Sequence, residues 1–408
     1  MLLYTRALRP TIRAPTRPFP IQRSPPSRRH FFDGNLKIAR DIYFKTVFGG
    51  TIALIIAMFA IFSIYWGALW KAPAHQLNGW VVDFDHSNIG SVVVEALQAS
   101  SASTYIRWTA VSSSNFPGGA SQVGDEVVDE KTWIAVVVNA NATSNLQSAV
   151  SSVDSSYNGS SAIVVYGNQA RSENGYNTIL LPTVEAALIS ITQSFALQFA
   201  TELASTSSNL TNLLANAPQT VTQPISFTVD NLRPFDIPVA TAMTYVGLIY
   251  TLILAYFIVN ISLSARMMSG LETHLKTSSI IRLAPSLLFL PIFLPLLILF
   301  ASQFGSAGFV LFWMLNWLGM LSVGLALEAM LTLLTIKGVP FFMILLIISN
   351  VSVCFLPIDV LPGIYHYGYG FVFYNISCAV RTILFGTKNN LGLNFGILIA
   401  MDLQVFLL

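Results

Sequence analysis

Thr46 to Trp70 is a run of 25 residues without a charge, fenced by Lys45 and Lys71, and no other feature constrains the fold as tightly. A helix rises ~1.5 Å per residue, so about 20 apolar residues cross the hydrocarbon core of a bilayer. Val47 to Leu69 therefore reads as a transmembrane helix. A polar stretch of 166 residues follows, 72–237, and apolar segments then run to Leu408. This pattern predicts one span, a polar domain and a block of spans.

Composition agrees, with 54% hydrophobic and only 10% charged residues, against about 25% charged in an ordinary soluble domain. The net charge of +2 hides an asymmetry: residues 1–46 hold ten Lys or Arg against Asp33 and Asp41, whereas 72–237 hold thirteen acids against four bases. Short basic segments stay on the cytoplasmic side. The expectation is a cytoplasmic N-terminal tail over 1–46 without fixed structure, transmembrane helix 1 over 47–69 and an extracytoplasmic domain over 72–237. The two cysteines, Cys354 and Cys378, both fall in the apolar C-terminal part and leave the polar domain without a disulfide framework.

Residues 238–408 are expected to form a five-helix membrane domain. Pro238 to Leu263 lies in an uncharged window bounded by Asp236 and Arg266. The 45 uncharged residues between Arg282 and Glu328 are too many for one helix, and Gln303 to Gly308 supplies small and polar residues for a turn between Leu287–Ala301 and Phe309–Leu334. Lys337 marks the return inside, and Pro340 to Leu356 is the next span, with Pro340 in its first turn. Pro357 to Asn390 is rich in helix breakers and interfacial tyrosines. It reads as an outer-leaflet elbow leading into a short helix, Tyr374 to Leu384. Leu391 to Leu408 is the last span, ~27 Å long at helical rise, and the chain reads as ending early there. The expected architecture is thus six transmembrane helices arranged one plus five, with an α/β extracytoplasmic domain between helices 1 and 2.

Within that domain, Trp80–Phe84, Tyr105–Val111, Trp133–Asn139 and Ala162–Tyr166 read as strands, with helices near Ile89–Ala99 and Ala142–Val153. After Pro182, Val184, Leu188, Ile191, Phe195, Phe199 and Leu203 recur at helical spacing, as a core-packing stripe would. Asn141, Asn158 and Asn209 each open an N-x-[ST] sequon, so all three are glycosylation candidates in a domain outside the cytoplasm.

No GxxxxGK[ST] loop occurs, so the chain is not expected to be itself the ATPase of a pump. The five histidines form no metal-ligand spacing with the cysteines. Asp83, Asp85 and His86 read as a solvated strand-end loop. With no catalytic constellation, the expectation is a protein that is not an enzyme, without metal or cofactor, and without a nucleic-acid partner. Ionisable groups in apolar segments are the better functional candidates, because an unpaired charge at a helix centre costs at least ~2.5 kcal/mol. Glu328 either lines a path, pairs with a base or sits with its head in interfacial water. Arg381 either binds a lipid phosphate or holds the elbow against Asp359, and Asp402 is a third candidate for transport or lipid contact. Gly49 and Gly50 permit close helix approach.

Leu361 to Tyr369, Arg381 to Thr387 and Leu391 to Gly396 resemble the fungal nitrosoguanidine-resistance family of membrane proteins, a domain of unknown function (DUF3533). Trp133 to Ser144, Tyr157 to Arg171 and Asn316 to Met320 extend the resemblance over about residues 40–408. It marks Pro362, Gly363, Tyr365, Gly368, Tyr369, Gly386 and Gly392 as structural-motif positions. The layout also resembles phage-infection-type proteins and, more distantly, ABC-2 type permeases. The resemblance implies an export permease for small toxic or amphipathic compounds or lipids, with membrane lipids, a homodimer partner or a further membrane protein as partners. A membrane-organising or regulatory protein that transports nothing is the alternative. Residues 1–32, with seven Arg and no acid, fit a basic tail at an anionic membrane surface in the plasma membrane or secretory pathway. They also resemble a presequence for the mitochondrial inner membrane in composition, although their prolines disfavour the helix such a signal needs.

Overall fold

The computed structural model describes residues 30–206, 210–271, 274 and 303–407. Two compact units divide the chain, 1–56 and 57–408. In the first, Phe31 meets the rings of Phe32, Tyr43 and Phe44 edge-on. Helix α1 (Lys37–Leu69) begins here, at Lys37 rather than at the expected Val47. Ile38, Ala39, Ile42, Tyr43 and Phe44 offer no helix breaker, so the last residues of the basic tail are helical. A side chain added at Gly49 or Gly50 would meet nothing within 4 Å, so the expected close approach there is not found among the described residues.

The second unit contains a five-stranded sheet: β1 (Leu77–Asp83), β2 (Ile106–Ser112), β3 (Ile134–Val138), β4 (Ile163–Gly167) and β5 (Phe227–Asn231), in the order β2-β1-β3-β4-β5. β1 runs parallel to β2 and β3, β4 is antiparallel to β3, and β5 is parallel to β4. Every residue of β3 is buried, which requires cover on both faces. Alternate residues supply the two faces. Val81, Ile134, Val136 and Val138 pack with Val93 and Leu97 of α2 (Asn88–Ser100), while Val82, Ala135 and Val137 pack with Val123 and Val127 of α3 (Ala120–Val128). Helix α4 (Ala142–Ser152) adds Leu146 to the first face.

Helix α5 (Leu181–Thr206) is long and apolar enough to cross a membrane. Val184, Leu188, Ile191 and Phe195 nevertheless join the sheet core, so it stays with the sheet. Leu203 packs beside Leu213 of α6 (Leu210–Asn216) in a neighbouring cluster. The 227–238 segment, which the sequence presents as a plain lead-in to the bilayer, instead begins with β5, where Phe227, Thr228 and Val229 favour an edge strand.

The apolar half contains α7 (Gly247–Ser269), α8 (Ser306–Val351), α9 (Val372–Phe385) and α10 (Leu391–Leu407). The expected span Leu287–Ala301 and most of the loop before it lie outside the described residues. The sequence predicts separate helices over 309–334 and 340–356; the first and the 340–351 part of the second fall in the one element α8, whose helical bonding runs through Pro340 and stops at Val351, five residues short of the expected end. That element cannot be straight. Gly319 packs against Ile376 and Val372, and the Asn350 side chain accepts a hydrogen bond from Phe373 N, so both positions reach the same turn of α9. Thirty-one residues of straight helix would separate them by roughly 46 Å. The element doubles back between its two apolar stretches, Ala307–Leu334 and Gly338–Val351. Gly338 and Pro340 stand where a helix is weakest.

The elbow is built from two short 3-10 turns, Ile358–Val360 and Gly363–Gly370, ahead of α9. Gly386 ends α9 with φ +66°, a conformation that favours glycine. Gly368 lies against Val353 and Ile358, where a Cβ would sit 2.6 Å from Val353.

Candidate functional site

The antiparallel step in the sheet creates the site. Because β4 reverses against β3, Ile134 at the start of β3 stands beside Gly167 at the end of β4. Gly167 in turn pairs with Asn231 at the end of β5. Residues flanking these ends, Glu130, Trp133, Arg171 and Arg233, therefore gather at one rim of the sheet, and that rim meets the elbow.

The Arg171 guanidinium lies 3.4 Å from the centre of the Trp133 ring, and its Nη1 donates to Thr132 O at 3.0 Å. Its Nε is 3.9 Å from a Glu130 carboxylate oxygen. Burial pushes the Glu130 carboxyl above the usual range, and Arg171 only partly offsets this. Trp133 Nε1 donates to Asp359 Oδ2 at 3.1 Å, and the Tyr369 hydroxyl donates to Asp359 Oδ1 at 2.7 Å. Burial raises the Tyr369 phenol, and its bond to Asp359 raises it further. A cleft of about 490 Å³ opens beside these groups, bounded by Glu130, Trp133, Arg171, Asp359, His75 and His366.

Two arginines join the halves in opposite directions. Arg381 Nη1 in α9 donates to Ala170 O at 2.8 Å, and Arg233 Nε beyond β5 donates to Gly386 O at 3.0 Å. Arg381 does not bond Asp359, the partner the sequence suggested; its guanidinium is turned to Ala170 O and Ser377, while Trp133 and Tyr369 donate to the Asp359 carboxylate. Helix α1 is tied in as well. The Tyr365 hydroxyl donates to Ile64 O at 2.7 Å, and Gly67 leaves it room.

The other expected site residues lie elsewhere. Glu328 is buried and accepts a hydrogen bond from Arg266 Nη2 at 2.5 Å. Asp402, 6% exposed, accepts from the Ser322 hydroxyl at 2.7 Å, while its Oδ2 has no partner among the described residues. Pro362 precedes the second 3-10 turn, whereas Gly363 and Gly392 have open space around them. Asn158 is exposed and accepts from Ser160 N and Oγ. Asn141 is exposed too, but its sequon's Thr143 is buried and bonded to Asp85. Asn209 lies outside the described residues.

Sequence reasoning singles out Arg381 and Asp359 but misses Glu130, Trp133 and Arg171. One signal is present: Arg171 is one of four bases in the acidic 72–237 stretch. What the site offers is an aromatic and guanidinium wall facing the half-buried carboxylate of Glu130 and the exposed one of Asp359, an arrangement for holding polar groups at the edge of an apolar helical body.

Helices long and apolar enough to cross a bilayer define the chain as a multi-helix membrane protein. A family described as a protein of unknown function (DUF3533) matches residues 51–404, and the chain belongs to that family. It is also similar to an uncharacterized endoplasmic reticulum membrane protein of Saccharomyces cerevisiae, 27% identical over 418 residues that cover 92% of this chain and 81% of that protein. No solved structure matches.

Proposed function

We propose that the protein is an export permease of ABC-2-like design for small toxic or amphipathic compounds or lipids, with six spans arranged one plus five. In this reading the N-terminus is cytoplasmic and the sheet domain lies outside the cytoplasm, glycosylated in the secretory pathway. The resemblance to the nitrosoguanidine-resistance family supports a role in drug resistance, with membrane lipids and a second copy of the chain as partners. The yeast relative's membrane supports the secretory pathway over the mitochondrial inner membrane.

The observation that supports transport best is the burial of ionisable groups among apolar helices. Glu328 with Arg266, and Asp402 with Ser322, are placed where such groups are costly unless they serve a path or a pair. The test is flux of a fluorescent amphiphile from vesicles reconstituted with the full chain. Glu328→Gln and Asp402→Asn are expected to slow efflux at equal protein incorporation. Wild-type flux in both variants overturns these assignments.

A second reading is favoured by a separate cleft of about 380 Å³ at the carboxyl ends of β1 and β2, beside Asp83, His86 and Ser113. Open α/β sheets bind ligands at this end of their strands, so the protein would act through its sheet domain and transport nothing. Vesicles that lose the amphiphile no faster than protein-free ones favour this alternative.

A further inference from the structure

A third cavity, of about 320 Å³, opens where the sheet rim, α9 and the start of α10 converge. Its polar wall carries Arg171, Arg381 and Lys388 against the single carboxylate of Glu130. Burial disfavours the charged form of that carboxyl, so the wall is net positive.

The donors on this wall are only partly used. Arg171 commits Nη1 to Thr132 O, and Arg381 commits Nη1 to Ala170 O and Nε to Ser377, which leaves an Nη2 on each guanidinium. Lys388 is exposed and forms no ion pair among the described residues. Asn394, 3% exposed, lines the same cavity, and its buried Nδ2 has no acceptor among the described residues. A buried amide donor left unmade costs ~1–3 kcal/mol, so an acceptor is due at this position. The same cavity also has apolar lining. Leu393 and Ile397 line it, and Leu393 is 64% exposed on an apolar helix.

The geometry points to a binding site for the phosphate of a lipid headgroup, held by Arg171, Lys388 and Asn394 Nδ2, with the acyl chains lying along Leu393 and Ile397. Guanidinium and ammonium groups are the usual partners of phosphate oxygens. Free phosphate shares that chemistry but has no use for the apolar wall. Only the role of this lipid as cargo rests on the permease reading; the site itself does not.

The full chain in detergent is titrated with dioctanoyl phosphatidic acid, with dioctanoylglycerol, which has the chains but no phosphate, and with inorganic phosphate. Binding is read from tryptophan fluorescence, since Trp133 lies against Arg171. Phosphatidic acid is expected to bind most tightly of the three. Lys388→Gln, a change at an exposed residue that spares folding, should weaken it about tenfold, the size of one charge-assisted hydrogen bond. Asn394→Leu should also weaken it while leaving thermal unfolding unchanged or raised. Equal affinity for dioctanoylglycerol, or unchanged affinity in both variants, overturns the phosphate site, and inorganic phosphate binding as tightly as the lipid overturns the lipid assignment. Efflux without selective phosphatidic acid binding removes this inference and leaves the permease reading; selective binding without efflux does the reverse.

Discussion

Trp133, at the start of the buried central strand, donates its indole N–H to Asp359 of the elbow across 226 positions of sequence. The bond fixes the rim of the sheet against the turns that lead into α9. Trp133→Phe keeps most of the ring but removes the donor to Asp359 Oδ2, and because Asp359 is exposed to water the loss is that of one ordinary hydrogen bond, ~0.5–1.5 kcal/mol. The expected outcome is a lower apparent Tm of the full chain in detergent. Asp359→Leu, which leaves no acceptor for Trp133 or Tyr369, should produce at least as large a loss, and the double variant less than the sum of the two, because both single changes remove the Trp133–Asp359 bond.

Glu328 and Arg266 offer a sharper contrast. Breaking a buried ion pair by removing one partner typically costs ~3–5 kcal/mol, whereas replacing both with apolar residues is often neutral. Glu328→Leu alone and Arg266→Met alone should each sharply reduce the monodisperse yield on size-exclusion chromatography. The double replacement should recover most of it, and a double variant as poor as the singles would show that the charges do more than pair.

Gly67 tests how α1 is held. A Cβ there would sit 2.5 Å from the Tyr365 hydroxyl oxygen, so Gly67→Ala must push Tyr365 away from Ile64 O. The expected effect is a Tm loss in Gly67→Ala that Tyr365→Phe partly relieves, since the phenylalanine lacks the clashing atom. Gly392→Ala, with open space around it, should be silent in the same assay.

The pH response follows from Glu130. Burial raises its folded-state pKa above the ordinary value of 4.5. Its contribution to stability is therefore complete below about pH 4.5 and is lost as pH rises through the raised value. Glu130→Gln removes that titration, so the variant's apparent Tm should gain on the wild type as pH is raised from 4.5 toward neutrality. A difference independent of pH would place Glu130 in a solvated setting.

Glycosylation separates the two described sequons. Asn158 and Ser160 stand exposed or half-exposed at a turn, whereas Thr143 is buried against Asp85. Endoglycosidase should increase the mobility of the wild-type chain on a gel, and Asn158→Gln should remove more of that shift than Asn141→Gln.

Much of the architecture was legible in the sequence because it rests on periodicity and charge. Alternation of polar and apolar residues was not needed for β3: an unbroken apolar run, Ile134 to Val138, marks a strand covered on both faces, and the stripe from Val184 to Leu203 fixed the buried side of α5. The reversal of β4 was invisible, since strand direction depends on connections and not on composition. That reversal is what brings Trp133 and Arg171 together, so the site inherited the blindness. Arg381 was visible as a charge in an apolar segment, but its acceptor is the carbonyl of Ala170, and no pattern of side chains announces a carbonyl.

The crossed arginines have a corollary for how the chain tolerates change. Arg381 and Arg233 each grip a main-chain oxygen, one at Ala170 and one at Gly386. A carbonyl is the same in every residue, so the clasp reads the path of the backbone and ignores the side chain at the gripped position. Ala170 can be exchanged for any small residue that fits its buried place, and Gly386 answers only to its φ of +66°. The arginines enjoy no such latitude, because lysine lacks the planar fork that lets Arg381 reach Ala170 O and Ser377 together. The seam between sheet and elbow is thus permissive on the side that is held and strict on the side that holds.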